Sequence, residues 1–350
     1  MTVEIVRIGI VNDMAMAVEA LKRALRAGGL HQVIWVARDG AEAILKCSED
    51  RPELVLMDLM MPGMNGVEAT RRIMAKSPCP ILVVTASVEE HLALVFEALG
   101  AGALDAVSTP AMDPEGKGMG AAGLLTKVSL IGKLVKDSAP FSSGAVVGAA
   151  MEPTSRSNGL LAIGSSAGGP VALAALLSTL PANFPHPIII VQHLDLEFAN
   201  GLASWLGDQS TFPVRLAREG DAPIAGTVLL AGTSDHLVFV RPGILGYTKE
   251  PKDYPYRPSV DVFFNSALRF RVPHMVGVLL TGMGRDGAQG PKAWRDAGCH
   301  TIAQDRATSV VYGMPRAAAA IGAAVEIVPL NKISEAVVRH LRLCVPACVR

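Results

Sequence analysis

Leu160-Leu161-Ala162-Ile163-Gly164-Ser165-Ser166-Ala167-Gly168-Gly169-Pro170 carries an apolar run into a cluster of small residues, and Val171 to Leu180 follows as an Ala/Leu-rich helical stretch. The pattern reads as a buried strand, a tight turn and a helix opening. A hydroxyl held in such a turn sits beside backbone N–H groups at a helix N-terminus, where negative charge is favoured. Phosphate cradling uses such a place, and so does a serine nucleophile whose oxyanion is met by N–H donors. No Gly-Lys-Ser/Thr closes the loop, so a phosphate loop lacks its lysine and its metal-binding hydroxyl. Gly164, Gly168 and Gly169 also miss the G-x-G-x-x-G spacing of a dinucleotide fingerprint. A third reading gives the turn no chemistry, because small residues also let a helix pack close to a sheet. The turn alone leaves the nucleophile and the packing readings open.

Composition narrows the class. The chain has 350 residues, half of them hydrophobic and 18% charged, enough for two ordinary globular domains. Lys+Arg and Asp+Glu both number 32, and with no dense basic run this argues against nucleic-acid binding. The five cysteines, Cys47, Cys79, Cys299, Cys344 and Cys348, form no C-x-x-C pair. They read as free thiols in a reducing compartment, with neither a disulfide framework nor a zinc site. Met1 to Arg7 shows no signal-peptide apolar region, and no apolar run is long enough for a membrane span. A cytoplasmic protein without membrane insertion is expected.

The first third alternates short apolar strands with helices. Ile8–Val11, Val33–Ala37, Leu54–Met57, Pro80–Val84 and Asp105–Val107 read as strands, with helices between them over Ala17–Leu25, Ala41–Cys47, Val67–Ala75 and His91–Leu99. This predicts a doubly wound parallel sheet, whose ligand crevice lies at the carboxyl ends of the strands. Asp13, Asp58 and Thr85 all fall at such ends. Two carboxylates there suit a hard cation such as Mg²⁺, and an aspartate beside the metal can attack a phosphoryl donor.

Asp58-Leu59-Met60-Met61-Pro62-Gly63-Met64-Asn65-Gly66 sharpens this. With Asp13 and Thr85 in order, residues 5 to about 115 resemble a response-regulator receiver domain. The resemblance implies Asp58 as phospho-acceptor, Asp13 and Asp58 as Mg²⁺ ligands, Thr85 as the switch hydroxyl, and a histidine kinase as phosphodonor. Two positions depart from the receiver pattern. Asn12 replaces the first of two acids, and Thr109 replaces the lysine before Pro110. The acceptor and Asp13 survive these changes; the standard switch is what they put in question.

Ala111 to Gly123 reads as loop, and Leu124 to Val135 repeats apolar residues at amphipathic-helix spacing. Asp137 to Asn158, rich in Ser, Gly, Ala and Pro, reads as a flexible linker. The organisation expected is therefore a receiver over 1–122, a helix and linker over 123–157, and a second domain over 158–350.

In that second domain Pro187–Gln192, Met275–Leu280, Thr301–Gln304 and Val325–Val328 read as strands, with helices over Ala288–Asp296, Ala317–Ala320 and Ile333–Leu343. This is a second α/β parallel sheet. Ser166, His193 and Asp286 fall at or just past the carboxyl ends of three apolar strands, where one crevice can hold all three. A serine needs an imidazole to take its proton, and an aspartate on the other ring nitrogen fixes the tautomer. The order Ser…His…Asp differs from that of the α/β-hydrolases. On these residues alone Ser165 is a rival nucleophile, Asp195, Asp261 and Asp305 are rival acids, and Asp286 before Gly287 also reads as a cap.

Gly164–Gly169, Gln192-His193, Arg257-Pro258-Ser259-Val260-Asp261, Thr281–Gly287 and Gly313-Met314-Pro315-Arg316 occur in order. Together they resemble the catalytic domain of the CheB family of chemoreceptor protein-glutamate methylesterases, and receiver–linker–esterase is that family's domain order. The resemblance implies Ser166 as nucleophile, His193 as base and Asp286 as the acid orienting it, with an oxyanion met by the Met283 region and the Ser166 turn. It implies hydrolysis of glutamyl methyl esters on chemoreceptor helices, related glutamine deamidation, and no cofactor for the ester step. Within the family, Asn12-Asp13-Met14, Asp105-Ala106-Val107 and Val67–Arg72 look most like the Wsp-type surface-sensing branch. The unphosphorylated receiver is expected to cover the esterase crevice. A small-ester hydrolase and a non-catalytic signalling adaptor are the competing classes.

Overall fold

The computed structural model describes residues 5–29, 31–86, 88–110, 121–137, 159–272 and 274–343. The chain divides into two compact units, Met1–Phe141 and Ser142–Arg350.

The first unit runs β1 (Arg7–Val11), α1 (Ala15–Ala27), β2 (Gln32–Ala37), α2 (Gly40–Glu49), β3 (Leu54–Met57), α3 (Gly66–Lys76), β4 (Ile81–Thr85), α4 (Val88–Gly100), β5 (Asp105–Ser108) and α5 (Ala121–Asp137). Its strands pair in parallel in the order β2-β1-β3-β4-β5. Every residue of β3 and β4 is buried, as strands covered by helices on both faces must be. Two helices begin on a side-chain cap followed by a glutamate at the third helical position. Asp39 accepts from the Glu42 amide and Asn65 from the Glu68 amide, satisfying donors that the first turn leaves open.

The helix expected over 124–135 belongs to this unit as α5. Leu124, Val128 and Ile131 are buried, and Leu125 packs where a side chain on Gly28 would have to go. The apolar stripe of this amphipathic helix is thus spent on the unit's own core. The linker expected over 137–158 lies outside the described residues beyond Asp137, as do Cys344 and Cys348. Cys47, Cys79 and Cys299 are free thiols.

The second unit runs β6 (Leu160–Ser165), α6 (Gly169–Thr179), β7 (Ile188–Gln192), α7 (Ala199–Asp208), β8 (Val214–Leu216), β9 (Val228–Leu230), β10 (His236–Arg241), β11 (Ile244–Thr248), α8 (Val260–Arg269), β12 (Met275–Leu279), α9 (Gln289–Asp296), β13 (His300–Gln304), α10 (Met314–Ala320), β14 (Glu326–Val328) and α11 (Leu330–Leu343). Seven strands form a parallel sheet in the order β14-β13-β12-β6-β7-β9-β8. An antiparallel ribbon, β10–β11, is added to it. The sequence reading assigns no strand or helix to residues 199–269, and the ribbon is an addition to the expected parallel class. Its Leu237, Phe239 and Leu245 alternate inward and join Phe263, Phe264 and Trp294 in one core. Trp294 lies 4.3 Å from Phe264 between ring centroids, and its indole N–H donates to the Phe264 carbonyl at 2.7 Å. Among the described residues no helix is long and apolar enough to cross a membrane.

Gly66 closes the acidic loop of the first unit. A Cβ there would lie 2.0 Å from the Asp58 carbonyl oxygen, a backbone atom that cannot swing away. Gly66→Ala is therefore expected to destabilise the protein by about 1–3 kcal/mol through overpacking, read as a lower midpoint in urea unfolding.

Candidate active site

Strand order sets the site. β6 lies between β7 and β12, and the chain builds outward through β7, β9 and β8 before crossing back to β12. That reversal creates a crevice at the carboxyl ends of neighbouring strands. Ser166 follows β6, His193 follows β7, and Asp286 lies in the loop after β12.

The two serines have different fates. Ser165, the last residue of β6, is fully buried and donates its hydroxyl to Gln192 Oε1 at 2.5 Å. Gln192 Nε2 donates to the carbonyls of Ser166 and His193, both at 2.9 Å, tying the two loops together. Gly169 makes room for this amide, since a Cβ there would lie 2.1 Å from Gln192 Oε1. Ser166, one residue on, is 8% exposed and leaves its hydroxyl out of this network.

Asp286 is the electrostatic centre. Its side chain has no solvent exposure, yet it accepts four hydrogen bonds: His193 Nε2 at 2.7 Å, Ser259 Oγ at 2.8 Å, the Val260 amide at 2.7 Å and the Asp261 amide at 3.1 Å. Burial pushes its carboxyl up, but the His193 bond and charge and the two amides outweigh this and hold it below the usual range. Two of the donors are the first amides of α8, the end of a helix that favours an anion. Ser259 is the helix cap, accepting from the Val262 amide while donating to Asp286.

The rival acids are engaged elsewhere. Asp261 accepts from the Gly290 amide at 2.6 Å and the Tyr254 hydroxyl at 3.1 Å. Asp305 accepts from the Thr308 amide at 2.9 Å, and Asp195 precedes a short 3-10 turn. Burial, followed by the negative charge of Asp286, pushes the Asp261 carboxyl up to about 6.

With Nε2 on Asp286, His193 Nδ1 is buried and has no hydrogen-bond partner. Ser166 and His193 are thus on adjoining loops but are not joined by a hydrogen bond. Tyr256 stacks on the imidazole at 4.7 Å between centroids and 5° between planes. Gly284, with φ +91°, leaves the space that the Tyr256 hydroxyl fills. The sequence reading misses Gln192, Tyr256 and Ser259 as contributors. Only Ser259 carried a local signal, as a serine directly before a helical pattern.

Among the described residues the Met283 and Ala167 amides donate no hydrogen bond. The Ser166 amide is committed to the Thr281 carbonyl at 3.1 Å, and Gly282 to Val311 at 3.0 Å. Within the turn the Ala167 amide, directly after Ser166, is left to donate, and Ser166's own amide is spent.

In the first unit, Asp58 accepts from the Leu59 amide at 2.7 Å and from the Asn12 side-chain amide at 3.0 Å. Burial raises its carboxyl; the Leu59 and Met60 amides oppose this, Asp13 adds to it, and His91 opposes it. The mutual repulsion of Asp13 and Asp58 is what a hard dication relieves, so the donor set fits Mg²⁺. Thr85 is buried at the end of β4, and the Thr109 amide donates to the Thr85 carbonyl at 2.8 Å.

Residues 161–337 match the model of the CheB methylesterase family, and residues 8–127 match the response regulator receiver domain. A Mesorhizobium japonicum protein named protein-glutamate methylesterase/protein-glutamine glutaminase is 57% identical over 95% of this chain and 98% of its own length. A Pseudomonas aeruginosa protein of the same name, numbered 3, is 54% identical over 94% of this chain and 97% of its own. The crystal structure of the Thermotoga maritima CheB methylesterase catalytic domain is similar at 35% identity and TM-score 0.49, covering 51% of this chain and 97% of that one.

The Asp261–Asp286 pair has a pH signature. A carboxyl raised in the folded state contributes its stability below the ordinary value, and loses it as pH rises through the raised one. Wild type is therefore expected to lose stability relative to Asp261→Asn between 3.8 and about 6. Urea unfolding of both proteins across that range is the measurement; parallel curves would remove Asp261 from the pair.

Proposed function

This chain belongs to the CheB methylesterase family, and from that premise we propose that it hydrolyses glutamyl methyl esters on the cytoplasmic helices of a chemoreceptor. Ser166 is the nucleophile, His193 the base and Asp286 the residue that orients it. The reading is carried by one observation: an imidazole 11% exposed donates Nε2–H to a buried aspartate and keeps a buried Nδ1 unpartnered. In that tautomer Nδ1 holds a lone pair, and a buried nitrogen without a partner suits a group that waits for a proton. Hydrogen bonds at catalytic sites often close only with substrate present, so an open Ser166–His193 gap in the free enzyme fits the role.

Ser166 Oγ attacks the ester carbonyl and passes its proton to Nδ1. The carbonyl oxygen becomes an oxyanion, met by the Met283 and Ala167 amides. Collapse breaks the bond to the methoxy oxygen, which takes the proton from Nδ1 and leaves as methanol. Water then repeats the sequence on the acyl-serine and releases the glutamate. Asp286 stays ionised throughout and stabilises the imidazolium. Tyr256, stacked on the ring, keeps His193 from turning away. A glutamine side chain undergoes the same acyl transfer with ammonia leaving, in keeping with the glutaminase in the relatives' names.

The receiver places this hydrolase under phosphorylation. Asp58 accepts a phosphoryl group from a histidine kinase, Asp13 and Asp58 would hold Mg²⁺, and Thr85 follows the change in charge. The cation supplies charge neutralisation for the transferring group. With Thr109 in the lysine position, the response rests on these groups and on His91. The residues quoted above for the Wsp-type branch support placement there, and a receptor's cytoplasmic helices put the work in the cytoplasm.

Methanol release from a methylated receptor cytoplasmic fragment tests both halves. Ser166→Ala is expected to lower the rate by at least about 10⁴-fold. A phosphodonor is expected to raise the rate of wild type and not of Asp58→Ala. Release that survives Ser166→Ala would sink the mechanism, and release that ignores the phosphodonor would sink the switch.

A further inference from the structure

The opposite edge of the second sheet carries a cluster that ester hydrolysis does not use. His300 opens β13, Glu326 opens β14, and His340 lies on α11. β13 and β14 are parallel neighbours, so their first residues lie at the amino end of the sheet. Ser166, His193 and Asp286 lie at the carboxyl end, so the two clusters are separate.

Glu326 is the hub. The His340 Nε2–Glu326 Oε1 hydrogen bond is 2.7 Å. His300 Nε2 lies 3.0 Å from the same oxygen but is a buried nitrogen without a hydrogen-bond partner. One carboxylate oxygen therefore draws two imidazole nitrogens and satisfies only one. The second oxygen of Glu326 accepts from Arg339 at 2.7 Å, which fixes the carboxylate much as outer partners orient metal ligands. Among the described residues this is a group of three ligating side chains whose donor atoms all lie within 4.8 Å of one another.

Two imidazoles and one carboxylate make a donor set for zinc and its neighbours in the transition series, with water as the usual fourth ligand. The rings stack at 3.3 Å between centroids and 15° between planes. A cation about 2.0–2.1 Å from each nitrogen requires them to splay out of this stack. Side chains 16% exposed at His300 and 25% at both Glu326 and His340 have the freedom to do so, and an ion has a path in. We propose that His300, Glu326 and His340 form a binding site for a divalent transition cation of the zinc class, tying α11 to the edge of the sheet.

Cobalt is the probe, because Co²⁺ held by few ligands absorbs strongly in the visible. The full chain carrying Asp58→Ala, which removes the acidic pocket of the first unit as a competitor, is titrated with Co²⁺ and then with Zn²⁺. The absorption is expected to saturate at one equivalent, to be bleached by Zn²⁺ and to persist in Cys299→Ser. His340→Gln and Glu326→Gln, each checked for native circular dichroism, are expected to weaken binding by at least about 100-fold. Glu326→Gln keeps an acceptor for both rings and so keeps the test open if His340→Gln does not fold. No visible band, a band that survives in both variants, or thiolate-to-cobalt charge transfer would each overturn the site.

Discussion

A single buried anion organises the second unit. The carboxylate of Asp286 has no solvent exposure, and an uncompensated charge there would cost several kcal/mol. Four donors meet it, each bond to a charged group contributing about 1.5–3 kcal/mol, which is enough to keep it ionised. Those donors come from the end of β7, from a cap and from the first turn of α8, so the interaction that tunes the charge also fixes three chain segments. Asp261 shows the other side of the same constraint. Two carboxylates so close cannot both stay charged without support, and Asp261, with fewer donors, is the one pushed up.

The same economy governs the small-residue turn. Gln192 spends its whole side-chain amide on Ser165, Ser166 and His193. That is possible only because residue 169 has no side chain and residue 282 has none beside Ser166, where a Cβ would approach the serine Cβ to 2.9 Å. The readings of the turn as packing device and as nucleophile site are therefore not rivals. Close approach of backbone to backbone is how the loop positions an otherwise uncommitted hydroxyl.

What the sequence makes legible follows from how local each signal is. β6, β7 and β12 are continuous apolar runs because helices cover both faces of a parallel sheet, and their ends point to Ser166, His193 and Asp286 without any tertiary knowledge. β8 and β9, at three residues each, are too short to show a period, whereas the β10–β11 ribbon turns at Pro242-Gly243, a signal that the sequence reading passes over. Ser165 and Ser166 differ by one step of chain: Ser165 still lies in the strand and bonds Gln192, while Ser166 has left it. Tyr256 is unreadable for a different reason. Tyr254 and Tyr256 look alike in sequence, and only the fold puts one against Asp261 and the other on the imidazole ring. The stripe on α5 is legible as a buried face, but amphipathicity does not say which surface buries it.

Asp58 and Asp286 are buried aspartates pushed in opposite directions, and the difference matches what each is asked to do. Asp286 faces an imidazole, a hydroxyl and two amides that are already in place, and its carboxyl is held below the usual range. Asp58 has backbone amides and the Asn12 side chain, but it also has Asp13, and its carboxyl is raised. A carboxylate that is under-compensated gains most from a cation and from a change in its own charge. Replacing an acid by Asn12 removes one repulsive charge from this pocket, while Thr109 removes the long cation that would otherwise answer a phosphoryl group. The two changes cancel in net charge, so the pocket keeps the surplus of Asp13 and Asp58 and has no long cation to answer a phosphoryl group.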